Sequence, residues 1–279
     1  MTVTIIGVGL IGGSMALALK ENGFAQKVIG VDASEAHLQK ALDLHLIDEK
    51  ADLEEGVKRS DLVILAIPVD AIEKLLPQVL DHVDQQVVMD AGSIKEAVLE
   101  AIKNHPKKGR FVATHPMWGT EYSGPEAAVK GAFINKATVI CNREESDPDA
   151  IQLVEDLYRN LGMQLVYMNA VEHDVHVAYV SHISHITSFA LANTVLEKER
   201  EEDAIFTLAS GGFESTVRLA KSNPAMWIPI FMQNKENVLD VLNEHISQLR
   251  KFKACLEKEN YGYLKELIEN ANTIRKIIK

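Results

Sequence analysis

The chain has 279 residues, enough for two domains, and its 47% hydrophobic and 25% charged content is that of an ordinary globular protein in water. A net charge of −11 and an isoelectric point near 5.4 argue against nucleic acid and anionic membranes as partners, and no apolar run reaches the length of a membrane span. Only Cys141 and Cys255 are present, too few for a disulfide framework, and the chain enters its first strand with no signal peptide; both features predict a cytoplasmic protein.

Val3, Ile5 and Ile6 predict a buried first strand, and Gly7, Gly9 and Gly12 follow it in G-x-G-x-x-G spacing. Gly7 permits the tight turn out of the strand, Gly9 lets a pyrophosphate come close, and Gly12 lets the next helix pack on the strand. Leu10 and Ile11 lie between the glycines, and an apolar helix is predicted from Ser14 to Asn22. A second strand, Lys27–Asp32, ends in an acid 25 positions after Gly7, where a carboxylate binds the ribose hydroxyls of a dinucleotide. Ala33-Ser34-Glu35 follows with no arginine for a 2′-phosphate, so NAD is expected over NADP.

Ser34 is predicted to cap a helix to about Leu44, and Asp52 to Lys58 reads as a short helix. Leu62–Ile67 is an uncharged, β-rich run, the pattern of a central parallel strand; Pro68 and a helix from about Asp70 to Leu80 follow. Gln86–Asp90 predicts a fourth strand, Ser93 a cap for a helix over Ile94–Asn104, and Phe111–Thr114 a fifth strand. This alternation predicts a parallel, doubly wound α/β sheet that binds ligands at its strands' C-terminal ends. Those ends carry Gly7, Asp32, Pro68, Asp90–Ser93 and His115. Lys136–Cys141, a helix over Pro148–Leu161 and a last strand, Gln164–Met168, complete the domain.

The pattern then changes, which puts a boundary near Met168–Asn169 and gives domains 1–168 and 169–279. The second domain is predicted to be all-α. Its helices run from Val171 to about Arg200, Ile205 to Lys221, Pro224 to about Glu257 and Tyr261 to Lys279, with interruptions at Gly211-Gly212, Pro229 and Gly262. Helices of this length suggest packing as a homodimer.

Three segments carry polar chemistry. Thr114–Gly124 is a strand end opening into a glycine-rich loop, where His115 can be a general base near neutral pH or simply bond a loop carbonyl. The helix after the boundary holds His173, His176, His182 and His185. At about 100° per residue each close pair lies roughly 60° apart, but the two pairs point in different directions. Four metal ligands on one face are thereby excluded, and with no H-E-x-x-H the residues read better as the polar lining of an interdomain pocket than as a zinc site. In the third segment, Ala209–Trp227, glycines allow close approach and Arg218 offers a planar donor fork, for a substrate carboxylate or for a surface ion pair.

GVGLIGGS at the start, AGSIK at Ala91–Lys95, HPMWGTE at His115–Glu121, HDVHVAYVSHISH at His173–His185 and GGFESTVRLAKSNPAMW at Gly211–Trp227 together resemble the prephenate dehydrogenase family, which includes the arogenate dehydrogenases. The resemblance covers nearly the whole chain. It implies a Rossmann domain followed by a helical dimerisation domain, and NAD-dependent oxidative decarboxylation of prephenate to 4-hydroxyphenylpyruvate in tyrosine biosynthesis, or of arogenate to tyrosine, without a metal. It further implies that His115 is the catalytic histidine at the ring hydroxyl and that Ser93 orients the substrate. Thr120, Glu121, His173, Ser181, His182, His185 and Gly211 would line the site, and Arg218 would hold a carboxylate. Trp118 and Glu214 depart from the family pattern. The runner-up, a 3-hydroxyacid dehydrogenase, should show K-x-x-x-N on its interdomain helix, and here no lysine precedes Lys198 in that helix. A non-catalytic dinucleotide sensor is the alternative from another class, and it leaves His115, Ser93 and Arg218 without a joint purpose. If His115 is unperturbed, activity is expected to fall as pH drops through about 6.5.

Overall fold

The computed structural model describes residues 1–200 and 205–277. Eight strands form one sheet: β1 (Thr2–Ile6), β2 (Lys27–Val31), β3 (Glu49–Lys50), β4 (Leu62–Leu65), β5 (Val87–Asp90), β6 (Phe111–Pro116), β7 (Ala137–Cys141) and β8 (Gln164–Met168). Their order is β3-β2-β1-β4-β5-β6-β7-β8, and the first six are mutually parallel, in the arrangement of a doubly wound dinucleotide-binding sheet. The expectation of a wholly parallel sheet is corrected at one edge. β7 runs antiparallel to β6, with His115 opposite Val139, and β8 runs parallel to β7. The connection explains it: between β6 and β7 the chain has only loop and a single 3₁₀ turn, Pro125–Ala127, and no helix to carry it over the sheet. The two-residue β3 is too short to leave a hydrophobic pattern.

Both faces of the sheet are covered, which is why its central strands are apolar throughout. Helices α1 (Leu10–Glu21), α2 (Glu35–Asp43) and α6 (Pro148–Asn160) pack on one face against Val3, Ile5, Leu62 and Ile64. Helices α3 (Leu53–Lys58), α4 (Val69–Asp81) and α5 (Glu96–Ala101) pack on the other, against Ile6, Val63 and Leu65. α1 starts at Leu10, before the predicted Ser14, because the last glycines of the fingerprint are already helical. α5 is shorter than predicted, and Ser93 is not its cap. The backbone N–H groups of Lys95 and Glu96 donate instead to the carboxylate of Asp174, at 3.0 and 2.9 Å, from the other domain.

The second half contains α7 (Ala170–Val177), α8 (Ile183–Glu199), α9 (Gly211–Val217), α10 (Pro224–Gln233), α11 (Lys235–Glu257) and α12 (Tyr261–Asn272). Asn169 begins it with a capping box, accepting from Glu172 N at 2.8 Å. The predicted single helix from Val171 to Arg200 contains a π-helical turn, Ala178–His182, between α7 and α8. The predicted helix Ile205–Lys221 is reduced to α9 flanked by 3₁₀ turns. The predicted breaks at Pro229 and Gly262 fall inside α10 and α12, and the real break is Asn234. The last two residues of the predicted final helix lie outside the described residues. Val69 and Ile94 meet Trp227 and Ile230 in a small apolar cluster that joins the two halves. No helix among the described residues is long and apolar enough to cross a membrane.

Candidate active site

The fingerprint turn is built as its glycines require. Gly7 has φ +94°, and a Cβ there would lie 2.5 Å from Ala66 O; a Cβ on Gly12 would lie 2.0 Å from Gly7 O. A Cβ on Gly9 would meet nothing within 4 Å, so this position faces open space at the start of α1, where Leu10 and Ile11 form the first turn. Asp32 directly follows β2 and accepts from Val8 N at 3.0 Å and Ser34 N at 2.8 Å, which fixes its carboxylate beside the turn and leaves lone pairs for ribose hydroxyls. Pro68 is exposed after β4 and is the N-cap residue of α4. The arrangement fits a dinucleotide: a backbone approach without side chains, a free helix N-terminus, and an oriented acid.

His115 lies at the C-terminal end of β6 on the same edge, 9% exposed. Its Nδ1 is 2.9 Å from His173 Nε2, and His173 Nδ1 is 2.7 Å from Asp174 Oδ1. Below the site is a fully buried ion pair between Lys95 and Asp90. Lys95 Nζ also donates to Thr114 O at 2.9 Å, and Asp90 accepts from Thr114 N at 3.0 Å and Gly92 N at 2.9 Å. These bonds tie the ends of β5 and β6 together and hold the backbone that carries His115. Burial, and then His173, Lys95 and His182 close by, lower the His115 pKa well below the ordinary histidine value. The expectation of titration near 6.5 is therefore corrected downward.

The π turn decides where the other histidines go. In an unbroken helix His173 and His182, nine residues apart, would be about 180° apart; one extra residue in the turn reduces that to roughly 80°. The structure thus corrects the reading of two histidine pairs that merely point in different directions. His173 and His182 are both buried near His115, His176 is exposed, and His185 stacks on Trp227 with ring centroids 3.4 Å apart. His182 packs edge-on against Trp227 and Phe231. Burial lowers its pKa to about 4 despite the opposing pull of Asp174. Burial also lowers the pKa of His185, whose Nδ1 lies 3.0 Å from Ser181 O. Among the described residues no group of three His, Cys, Asp or Glu side chains is placed to hold a metal ion.

Arg218 is half-exposed at the end of α9 and donates to Glu121 at 3.0 Å, linking the loop after β6 to the helical half. The Glu121 pKa is lowered, first by its own backbone N–H and then by Arg218. Thr120 lies in the same loop and accepts from Tyr122 N at 3.3 Å. Gly211 opens α9, and a Cβ there would meet nothing. Ser93 is partly buried in the segment between β5 and α5. Trp118 turns toward the sheet core, edge-on to Phe133 at 5.5 Å, and Glu214 is exposed on α9.

Sequence reasoning missed four residues of this region. Lys95 and Asp174 stand inside the quoted motifs, but nothing local marks them as buried charges. Trp227 ends the segment Ala209–Trp227, where nothing local sets it apart. Asn234 has the one usable signal, an N-cap residue type in an otherwise helical run; its Nδ2 donates to Asp174 O at 2.7 Å and lies 3.2 Å from His182 Nδ1.

Comparison with known proteins gives consistent matches. Residues 15–167 match the family model "prephenate dehydrogenase, nucleotide-binding domain", and residues 169–270 match "prephenate dehydrogenase, dimerization domain". The prephenate dehydrogenase of Bacillus subtilis is 33% identical over 98% of this chain and 75% of its own length. The crystal structure of prephenate dehydrogenase from Aquifex aeolicus in complex with hydroxyphenyl propionate and NAD+ superposes with a TM-score of 0.91 at 31% identity, covering 100% of this chain and 98% of that one. The structure of Synechocystis arogenate dehydrogenase superposes with a TM-score of 0.78 at 26% identity, covering 100% of both chains.

Proposed function

The chain belongs to the prephenate dehydrogenase family, and from that premise we propose that it converts prephenate and NAD to 4-hydroxyphenylpyruvate, carbon dioxide and NADH. The observation that carries the reading is His115: a buried imidazole held neutral, at a strand end on the same edge of the sheet as the dinucleotide turn. When bound, NAD supplies the acceptor for a hydride from the hydroxyl-bearing ring carbon. His115 takes the hydroxyl proton as that hydride leaves. The ring–carboxylate bond then breaks, its electron pair makes the ring aromatic, and the phenolate oxygen takes the proton back. The sum requires no net acid or base.

The roles of the other residues follow from place and chemistry. Ser93 orients the ring hydroxyl. Thr120, Ser181, His182, His185 and Gly211 line the space between the halves, and His173 supports His115 from behind. Arg218 exchanges Glu121 for a substrate carboxylate. Gly7, Gly9, Leu10, Ile11, Gly12, Asp32 and Pro68 hold NAD, and Asp32 disfavours a 2′-phosphate. The chain divides at 168/169 and works in the cytoplasm, and as a homodimer; the apolar residues left exposed on the helical half support the last of these.

Arogenate is the second reading, and Glu121 favours it. An ionised carboxylate beside Arg218 would offer a zwitterionic side chain a partner for each of its charges. The deciding experiment measures NADH formation with prephenate and with arogenate, for the unaltered enzyme and for His115→Asn. The expected result is a kcat lower by about 10²–10⁴-fold with NAD binding retained. A His115→Asn enzyme within about threefold of the unaltered rate would remove His115 from the chemistry.

A further inference from the structure

With His173 neutral, the hydrogen-bond chain behind His115 has one consistent assignment of protons. Asp174 receives three donors: Lys95 N at 3.0 Å, Glu96 N at 2.9 Å and His173 Nδ1 at 2.7 Å. Its side chain is buried and already accepts two backbone N–H bonds, and an imidazole nitrogen is a stronger base than a carboxylate oxygen, so the hydrogen in the His173 contact sits on nitrogen and Asp174 is a carboxylate that only accepts. His173 Nδ1 therefore carries a hydrogen. In neutral His173 the other nitrogen, Nε2, is then an acceptor, and the hydrogen in the 2.9 Å contact belongs to His115 Nδ1. A neutral His115 with hydrogen on Nδ1 has its lone pair on Nε2.

We propose that Asp174 is the positioning residue that, acting through His173, fixes the His115 tautomer and makes Nε2 the proton-accepting atom, and that it can do so only when the two halves of the chain are apposed. The second part follows from where the bonds run. Asp174 is on α7 of the helical half, and two of its three donors are backbone amides at the start of α5 in the sheet half. The other side of Asp174 is held as well: Asn234 Nδ2 donates to its backbone carbonyl at 2.7 Å, and Asn234 Oδ1 accepts from Asn237 Nδ2 at 2.7 Å. Separating the halves would release the carboxylate from α5 and carry His173 away from His115. Competence as a base is thus tied to closure of the cleft. When His115 accepts the substrate proton, one O–H bond breaks and one Nε2–H bond forms. Nδ1–H goes on donating to His173 and His173 to Asp174, so no second proton has to move.

The proposal rests on His115 being the base, and the test separates the two. Asp174→Asn can still accept from both α5 amides with its carbonyl oxygen, but its NH₂ then faces His173 Nδ1. His173 must carry its hydrogen on Nε2 and donate to His115 Nδ1, and the His115 hydrogen moves to Nε2, the wrong atom. Nitrogen-15 NMR of the full-length, histidine-labelled enzyme reads this directly. The unaltered protein is expected to show His115 Nε2 unprotonated and Nδ1 protonated, and Asp174→Asn the reverse. The kcat of Asp174→Asn should be about 10²–10⁴-fold lower, as when the aspartate orienting a catalytic histidine is replaced by asparagine, with NAD affinity and melting temperature close to those of the unaltered enzyme. A protonated His115 Nε2 in the unaltered protein overturns the proposal without any variant. So does an Asp174→Asn enzyme of normal kcat, or one that loses folding and NAD binding together. If His115→Asn is inactive while Asp174→Asn is not, only the relay fails; if both are active, the role of His115 fails first.

Discussion

The two halves of the molecule treat their apolar residues in opposite ways. In the sheet half, every residue of β4 and β5 is buried, and the helices on both faces complete a closed core. In the helical half, Met232 is 63% exposed, Leu249 56%, Leu256 68% and Ile268 48%, and α12 has no buried residue at all. A parallel sheet must be covered on both faces within its own domain. A helix can leave an apolar stripe for a second copy of the chain to cover. The contrast predicts one half that is sensitive to changes inside it and another that is sensitive to changes on its surface.

The largest expected effect lies inside the sheet half. Lys95→Met leaves the Asp90 carboxylate buried without its partner, and stability measured by urea unfolding should fall by about 3–5 kcal/mol. Adding Asp90→Asn to Lys95→Met should restore much of that. If the single variant is as stable as the unaltered chain, the pair does not hold the strand ends together.

Acid should act next, at the seam between the halves. His182 has a folded pKa of about 4 against an ordinary value of 6.5. The unfolded chain therefore binds the proton more readily between those values. The stability tied to neutral His182 is complete above pH 6.5 and is lost as pH falls through 4, by about 3 kcal/mol at most. His182→Gln should flatten that part of a plot of melting temperature against pH. The catalytic rate should persist below pH 6.5, because His115 is lowered in the same direction. An acid limb of kcat at or above 6.5 would contradict the burial described for it.

The exposed face is tested by Leu249→Glu together with Leu256→Glu. If this face forms the proposed dimer, its dissociation constant measured by sedimentation equilibrium should rise roughly 30-fold, the equivalent of about 2 kcal/mol for a well-packed interface position. NAD binding to the sheet half should be unchanged. A dimer that tolerates both charges would place the interface elsewhere on the helical half.

Arg218→Ala should have the smallest effect on the fold, because its partner Glu121 meets it at the rim. The melting temperature should hardly move, while the KM for the acid substrate rises roughly 30-fold or more and that for NAD does not. Lysine should restore only part of the loss, since it lacks the planar fork. Equal changes in both KM values would make Arg218 a purely structural partner of Glu121.

Much of this arrangement is dictated locally and is therefore legible in the sequence. A strand, three spaced glycines and a helix can form only one kind of turn, and Gly7 and Gly12 have no room for a side chain. The alternation of β-rich runs with helical segments fixes the doubly wound sheet, and His115 at a strand end is assigned to its ligand-binding edge from the pattern alone. What the tertiary structure decided depends on partners distant in the chain. Whether Ser93 or Asp174 caps α5, where the helix over Val171–Arg200 takes its extra residue, and in which direction β7 runs are settled by packing between segments. Likewise, Lys95 is an ordinary lysine in the sequence and a fully buried cation only because Asp90 and the Thr114 carbonyl are folded around it. The pKa of His115 belongs to the same class: 58 residues separate it from His173, and burial, the largest cause of its shift, exists only once both halves have closed over it.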